Sequence, residues 1–354
     1  RWFHSGLLAD ISEGHLNLAE AVLDVAEGGP LPTRSLADHM ELPADLDPLL
    51  TEFSVDFALQ EDERFDEVGP AGKVLWYLKR LEPVEVLQTP RRLTYTHKAY
   101  DRDRLTEELL ALERSLNDEL SAVDNPSSAN TEGVTLPILF PHRQAGTLPL
   151  STQLQGLFPT AYEAPRIRFI LVDGTTGERF PGWVVREERY IYGLGPWYRS
   201  NKVPAGGLIK ITPSEAEGEV ILQALEPRQR NDWIRMVTID NHGHIGFTML
   251  KHPVGTAYDE RMIVGQIDEK ALVEAWESGE QRRLPPDRLT LQVFRELAKL
   301  NPQATVHAKS LYSAVNVIRR LPPGPIFAEL TSQPYFEPVG DLYWKMKDGE
   351  WKEQ

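Results

Sequence analysis

The chain has 354 residues, 53 acidic against 38 basic, for a formal net charge of −15, and no cysteine. That length predicts two or three domains, and 41% hydrophobic with 26% charged residues excludes disordered, collagenous and membrane-spanning classes. Without cysteine there is no disulfide scaffold, thiolate nucleophile, Cys-ligated zinc or iron–sulfur cluster, and a cytoplasmic protein is expected.

Residues 17–27 place Leu18, Val22, Val25 and Ala26 on one helical face, and Gly28-Gly29-Pro30 ends that helix. A short helix is expected over about 35–40. Asp47-Pro48, a cap followed by proline, opens a third helix expected to bury Leu49, Leu50, Phe53 and Phe57. Residues 63–69 and 73–81 read as two strands around Pro70-Ala71-Gly72. Three helices and a β-hairpin predict a winged helix-turn-helix over residues 1–100. Residues 101–133 then form a leucine-rich helix and linker. Leu105, Leu109, Leu112, Leu116, Leu120 and Val123 predict a helix from about 103 to 123, and the polar stretch 124–133 follows it. The leucine stripe either packs on its own domain or forms a coiled coil between protomers.

Charge is placed unevenly. Residues 1–128 hold 12 Lys and Arg against 26 Asp and Glu, whereas 129–226 hold 9 against 10, 227–288 hold 9 against 10, and 289–354 hold 8 against 7. The acidic amino-terminal part repels phosphate, so its expected partner is protein, while the near-neutral remainder leaves room for a local basic patch.

Over residues 134–226 short apolar runs alternate with Gly, Pro, Asp and Ser, and Asp173-Gly174 and Thr176-Gly177 mark a hairpin. One short helix is expected near 151–158. Many short strands at this spacing predict a barrel or sandwich. Residues 227–286 form a small β extension, with a turn at Asn241-His242-Gly243-His244 and a helix over 272–279. Residues 287–354 repeat the opening pattern as a second winged helix-turn-helix. Phe336-Glu337-Pro338-Val339-Gly340 matches Phe65-Asp66-Glu67-Val68-Gly69, each followed by a tryptophan, Trp344 or Trp76. The expected class is therefore α+β multidomain: winged helix, central β pseudobarrel, second winged helix.

Both end segments resemble the HARE-type winged helix-turn-helix of RNA polymerase delta subunits, chromatin regulators and restriction-associated proteins. The resemblance rests on an amphipathic first helix and the closing Phe-x-x-Val-Gly with an aromatic strand. The centre resembles the pseudobarrel DNA-binding domain of plant transcription factors and some restriction endonucleases. It does so through Leu148-Pro149-Leu150, Leu157-Phe158-Pro159, the strand 168–173, Gly182-Trp183 and, most specifically, residues 189–207. Pro196 between Gly195 and Trp197, and Gly207 in place of an acidic residue, depart from that family.

The pseudobarrel resemblance implies two arms that grip the DNA major groove. Here the early arm is 141–146, with His142, Arg143 and Gln144, and the late arm is Trp197, Tyr198, Arg199, Ser200, Asn201 and Lys202. Arg143 and Arg199 have the donors for guanine, Gln144 and Asn201 the amides for adenine, and Ser200 and Lys202 suit phosphates. Trp197 and Tyr198 equally suit a core. The third helices of both end units lack the bases needed to enter a groove, and Arg319 and Arg320 read as a solvated helix end.

Asp240, His242, His244 and His252 carry metal-ligand chemistry but read first as a hairpin turn. Tyr258-Asp259-Glu260-Arg261 reads as a solvated turn, and no phosphate-loop or nucleophile-elbow motif occurs. No catalytic residue, metal or cofactor is expected. The function expected is non-catalytic binding of double-stranded DNA, unmodified or modified, in regulation or restriction-like defence. The alternatives are an adaptor for transcription machinery and a nuclease whose residues escape recognition. Arg1 in first position leaves an upstream segment or removed signal open.

Overall fold

The computed structural model describes residues 8–42, 47–122, 133–162, 164–227 and 231–347. Val123 and residues 124–132 of the expected linker lie outside them. Among the described residues, twelve helices and sixteen strands form a mixed α+β architecture with four sheets. No helix among them is long and apolar enough to cross a membrane.

The amino-terminal unit runs α1 (Glu13–Val25), β1 (Leu31–Pro32), α2 (Thr33–Ala37), α3 (Pro48–Glu61), β2 (Phe65–Glu67) and β3 (Leu75–Leu78), with strand order β1-β3-β2. The expected cap is present: the Asp47 carboxylate accepts from the backbone N–H groups of Leu49 and Leu50 at 2.9 and 3.3 Å. The buried faces differ from those expected. In α1, Ala19 and Leu23 are inside, while Leu18 and Val25 are exposed. In α3, Ser54, Val55 and Leu59 are inside, and Leu49, Phe53 and Phe57 stand on the surface. Helix α3 carries two apolar stripes of equal period, so periodicity alone does not choose between them.

A short helix α4 (Val84–Leu87) leads to α5 (Glu107–Ser115). The long leucine helix expected to reach residue 123 is only nine residues here. Asn117 takes φ +53°, and the Asp118 side chain accepts from Leu120 N at 2.8 Å, so local side-chain bonding replaces the helical ladder. Leu105, Leu109, Leu112 and Leu116 are buried within their own chain, in a core shared with the carboxy-terminal unit.

Next come β4 (Val134–Pro137), α6 (Phe140–Ala145), β5 (Thr147–Pro149), β6 (Arg166–Asp173), β7 (Arg179–Val185), β8 (Tyr190–Tyr192), α7 (Gly195–Ser200), β9 (Leu208–Pro213) and β10 (Glu219–Ala224). They make one seven-stranded sheet, β4-β9-β10-β6-β7-β8-β5, curled into a half-barrel. Strand β6 alternates strictly, with Ile167, Phe169 and Leu171 inward and Arg166 and Arg168 outward. Helix α6 connects the two edge strands β4 and β5, and α7 connects their neighbours β8 and β9. Both short helices therefore bridge the gap that the curled sheet leaves open.

Strands β11 (Asn231–Ile239), β12 (Ile245–Pro253) and β13 (Ile263–Gln266) form a separate sheet, followed by α8 (Glu269–Ser278) and α9 (Glu280–Arg283). The last unit is α10 (Pro286–Ala298), β14 (Val306–His307), α11 (Ala308–Ile318), α12 (Pro323–Ser332), β15 (Phe336–Gly340) and β16 (Tyr343–Met346). Its element order and sheet order repeat those of the first unit. The register repeats as well. Leu31 faces Trp76 and Phe65 faces Leu78 in the first unit, while Val306 faces Trp344 and Phe336 faces Met346 in the last. The two differ in burial: α11 and α12 are almost wholly enclosed, by α5, α6 and the β11–β13 sheet among others.

Candidate nucleic-acid interface

Two proline-started turns of helix carry the expected arm residues. Pro141 and Pro196 sit in the first turns of α6 and α7, where a missing N–H costs nothing. The Pro196 departure is thereby accommodated. At the end of α6, Gly146 takes φ +66°, and a Cβ there would lie 2.9 Å from the Gly195 backbone. The Gly146 carbonyl accepts from Leu194 N at 2.9 Å. Only glycine lets the two arms meet this closely. The other departure, Gly207, also has a local cause: a Cβ there would press on the Pro204 carbonyl at 2.9 Å and the Thr256 hydroxyl at 3.0 Å.

Several residues expected to touch DNA are instead what holds the arms. His142 is fully buried, its Nε2 3.1 Å from Glu119 and its Nδ1 2.9 Å from the Thr147 hydroxyl. Burial alone would raise the Glu119 carboxyl, but Arg320 and His142 hold it well below the usual carboxylate range. As an anion it only accepts, so Nε2 is the donor of the pair. Tyr198 is also fully buried, and its hydroxyl donates to the Thr147 carbonyl at 2.8 Å, so Thr147 ties down both arms. The Trp197 indole N–H donates to Asp173 at 2.7 Å, and the Asn201 amide donates to the same carboxylate at 3.1 Å. His142, Trp197 and Tyr198 are corrected to structural roles, for burial leaves no surface to offer a base. Asn201 keeps part of its surface but spends its amide N–H groups on Asp173 and the Trp197 carbonyl.

The remaining residues converge. Arg143 and Gln144 from α6, with Arg199 and Lys202 from the α7 arm, line one cleft of about 860 Å³. Its opposite wall is the β11–β13 sheet, through Met236, Val254 and Val264, with His252 and Gln266 adding polar groups and Glu269 a single carboxylate. Arg143 is partly anchored: its Nε donates to the Val203 carbonyl at 2.5 Å and its guanidinium lies 5.5 Å from the Tyr198 ring centre. Burial, with the Arg199 charge beside it, lowers its pKa from the ordinary arginine value. Arg199 and Ser200 are exposed, but Ser200 lines a separate pocket behind α7 with Trp183 and Tyr192. Lys202 is exposed and held at φ +53°, a conformation that costs a non-glycine residue roughly 1–2 kcal/mol. Gly255 backs it, since a Cβ there would lie 2.6 Å from the Lys202 Cβ.

Sequence reasoning missed the support behind the arms. Arg320, expected at a solvated helix end, is buried and pairs with Asp118 at 2.6 Å and Glu119 at 2.8 Å. The Tyr312 hydroxyl donates to Asp118 at 2.5 Å. Arg319 is half-buried and donates to the carbonyls of Arg282 and Leu284. The one available signal was Asp118-Glu119 at the end of a leucine stripe, where an acidic pair needs a cation if it is buried. Among the described residues, no three His, Asp or Glu side chains gather as a metal ligand set, and Asp240 to His244 form the expected turn. Comparison with protein-family models, curated proteins and solved structures finds no match to this chain.

Proposed function

We propose that this is a non-catalytic DNA-binding protein whose curled sheet is a pseudobarrel and whose α6 and α7 arms meet duplex DNA. One observation carries the reading. Arg143 and Gln144 from one connection, and Arg199 and Lys202 from another, converge on a single cleft in a chain of net charge −15. Guanidinium and amide groups match purine edges, and Lys202 matches a phosphate. A cleft of about 860 Å³ is the size of a small-molecule pocket, so the duplex lies at its rim. The apolar wall of Met236, Val254 and Val264 gives one base turned out of the stack a place to sit, and with it a means of sensing modification.

In this reading the two end units are winged helices used for other contacts. Helix α12 is enclosed, so the last unit acts as scaffold. Helix α3 presents Leu49, Phe53 and Phe57 beside Glu52 and Glu61, which suits a protein with a basic rim and repels phosphate. That surface is the observation favouring an additional adaptor role.

The test is a gel shift on mixed duplexes, with and without modified cytosine, at two salt concentrations. Affinity falls steeply with salt, and Arg199→Ala with Lys202→Ala weakens binding and reduces the log–log salt slope by about 1, the share of Lys202 at its phosphate. Indifference to every duplex at both salt concentrations supports the adaptor alone.

A further inference from the structure

Beyond the cleft, Trp276 of α8 gathers three guanidinium groups. Arg282 lies 4.0 Å from its ring centre, Arg92 4.4 Å and Arg91 5.5 Å. Arg283 follows directly and is exposed, as is Arg91. The four come from two stretches nearly 200 residues apart, so local sequence does not account for their meeting. Among the described residues none of the four forms an ion pair; Glu269 and Glu277 act on Arg92 only at longer range. Burial, reinforced by repulsion from Arg282, lowers Arg92 to about 10. Gathering four like charges with no carboxylate paired to any of them is unfavourable in a folded chain. A stacked guanidinium holds its plane on the ring and keeps its donor edge for an oxyanion.

The cluster adjoins the cleft. Glu269, at the start of α8, lines the cleft and acts electrostatically on both Arg143 and Arg92. From Glu269 to Trp276 is seven residues of helix, about 10 Å, or roughly three nucleotide steps along one strand. That spacing suits a continuous backbone rather than one small anion.

We propose that Arg91, Arg92, Arg282 and Arg283 around Trp276 form a clamp for the phosphate backbone of the DNA flanking the arm site. The proposal rests on reading the cleft as the DNA site. It is tested with the full chain and a 30-base-pair duplex of random sequence, by fluorescence anisotropy over a salt series. Arg91→Gln with Arg283→Gln alters exposed positions only; it should weaken binding about tenfold or more near 100 mM salt and lower the salt slope by about 2. Arg91→Lys with Arg283→Lys should restore the slope. Unchanged affinity in the glutamine variant, or loss of affinity with an unchanged slope, overturns the clamp. If that variant weakens binding and Arg199→Ala with Lys202→Ala does not, the clamp stands and the arm reading fails. If the unaltered chain binds no duplex at all, both fail.

Discussion

Arg320 shows how far a residue's role can lie from its sequence neighbourhood. Its guanidinium reaches Asp118 and Glu119 about two hundred positions away, and Glu119 in turn holds His142 of the early arm. A helix-terminal Arg-Arg, followed by Leu321 and then Pro322, reads locally as solvated, because nothing within a few residues says which carboxylates it will meet. The same limit applies to the arms. The residue types were legible, but whether His142, Trp197 and Tyr198 face solvent or core depends on Glu119, Asp173 and Thr147, which are distant or ambiguous in sequence. Gly195-Pro196-Trp197 did mark the right turn. Replacing Arg320 by methionine strands two carboxylates in the interior, which costs about 3–5 kcal/mol. Chemical denaturation should show that loss, and adding Asp118→Asn and Glu119→Gln should recover part of it. A loss below about 1 kcal/mol would mean the cluster is hydrated and does not brace the arm.

Elements were most legible where one pattern had one solution. Strand β6 alternates without exception, and the two Phe-x-x-Val-Gly segments pair with their tryptophan strands in the same register, although Val68 is buried and Val339 exposed. Helices α1 and α3 were placed correctly but turned the wrong way, because each offers two apolar faces. Junctions between elements were not legible. At the contact of β2 with β6, Arg166 stands between Asp66 and a buried Glu82, 3.0 Å from each. Burial, then the Asp66 carboxylate, push Glu82 up to about 8 despite Arg166. Between its unfolded value near 4.5 and about 8, the folded chain holds the proton that the unfolded chain releases. The contribution of Glu82 to stability is therefore full below about 4.5 and declines as pH rises through this window. Glu82→Gln should flatten that decline and raise the melting temperature at pH 8 by roughly 2–4 °C. An unaltered pH profile would place Glu82 in contact with water.

At the scale of the molecule, topology brings distant stretches of the chain onto one curled sheet. The amino-terminal unit docks on the outer face of the central strands, where Tyr77 meets Trp183 edge-on at 5.2 Å and Val68 accepts from Arg168 N at 3.0 Å. Helices α6 and α7 span the open edges of the same sheet. The β2–β3 hairpin of the amino-terminal unit thus meets β6 and β7, while Arg143, Gln144, Arg199 and Lys202 converge on a cleft at the two helical connections. The last unit, built on the same pattern, is consumed in the large core that braces the arms. Composition gave the uneven charge along the chain but not which segments meet, because sheet order is set by pairings remote in sequence. The most direct measurement is photo-crosslinking of the full chain to a duplex carrying 5-bromouracil, with the joined peptides identified by mass spectrometry. Crosslinks within residues 140–146 and 195–202 are predicted; crosslinks confined to α3 or α12, or none on a duplex that binds, would contradict the account.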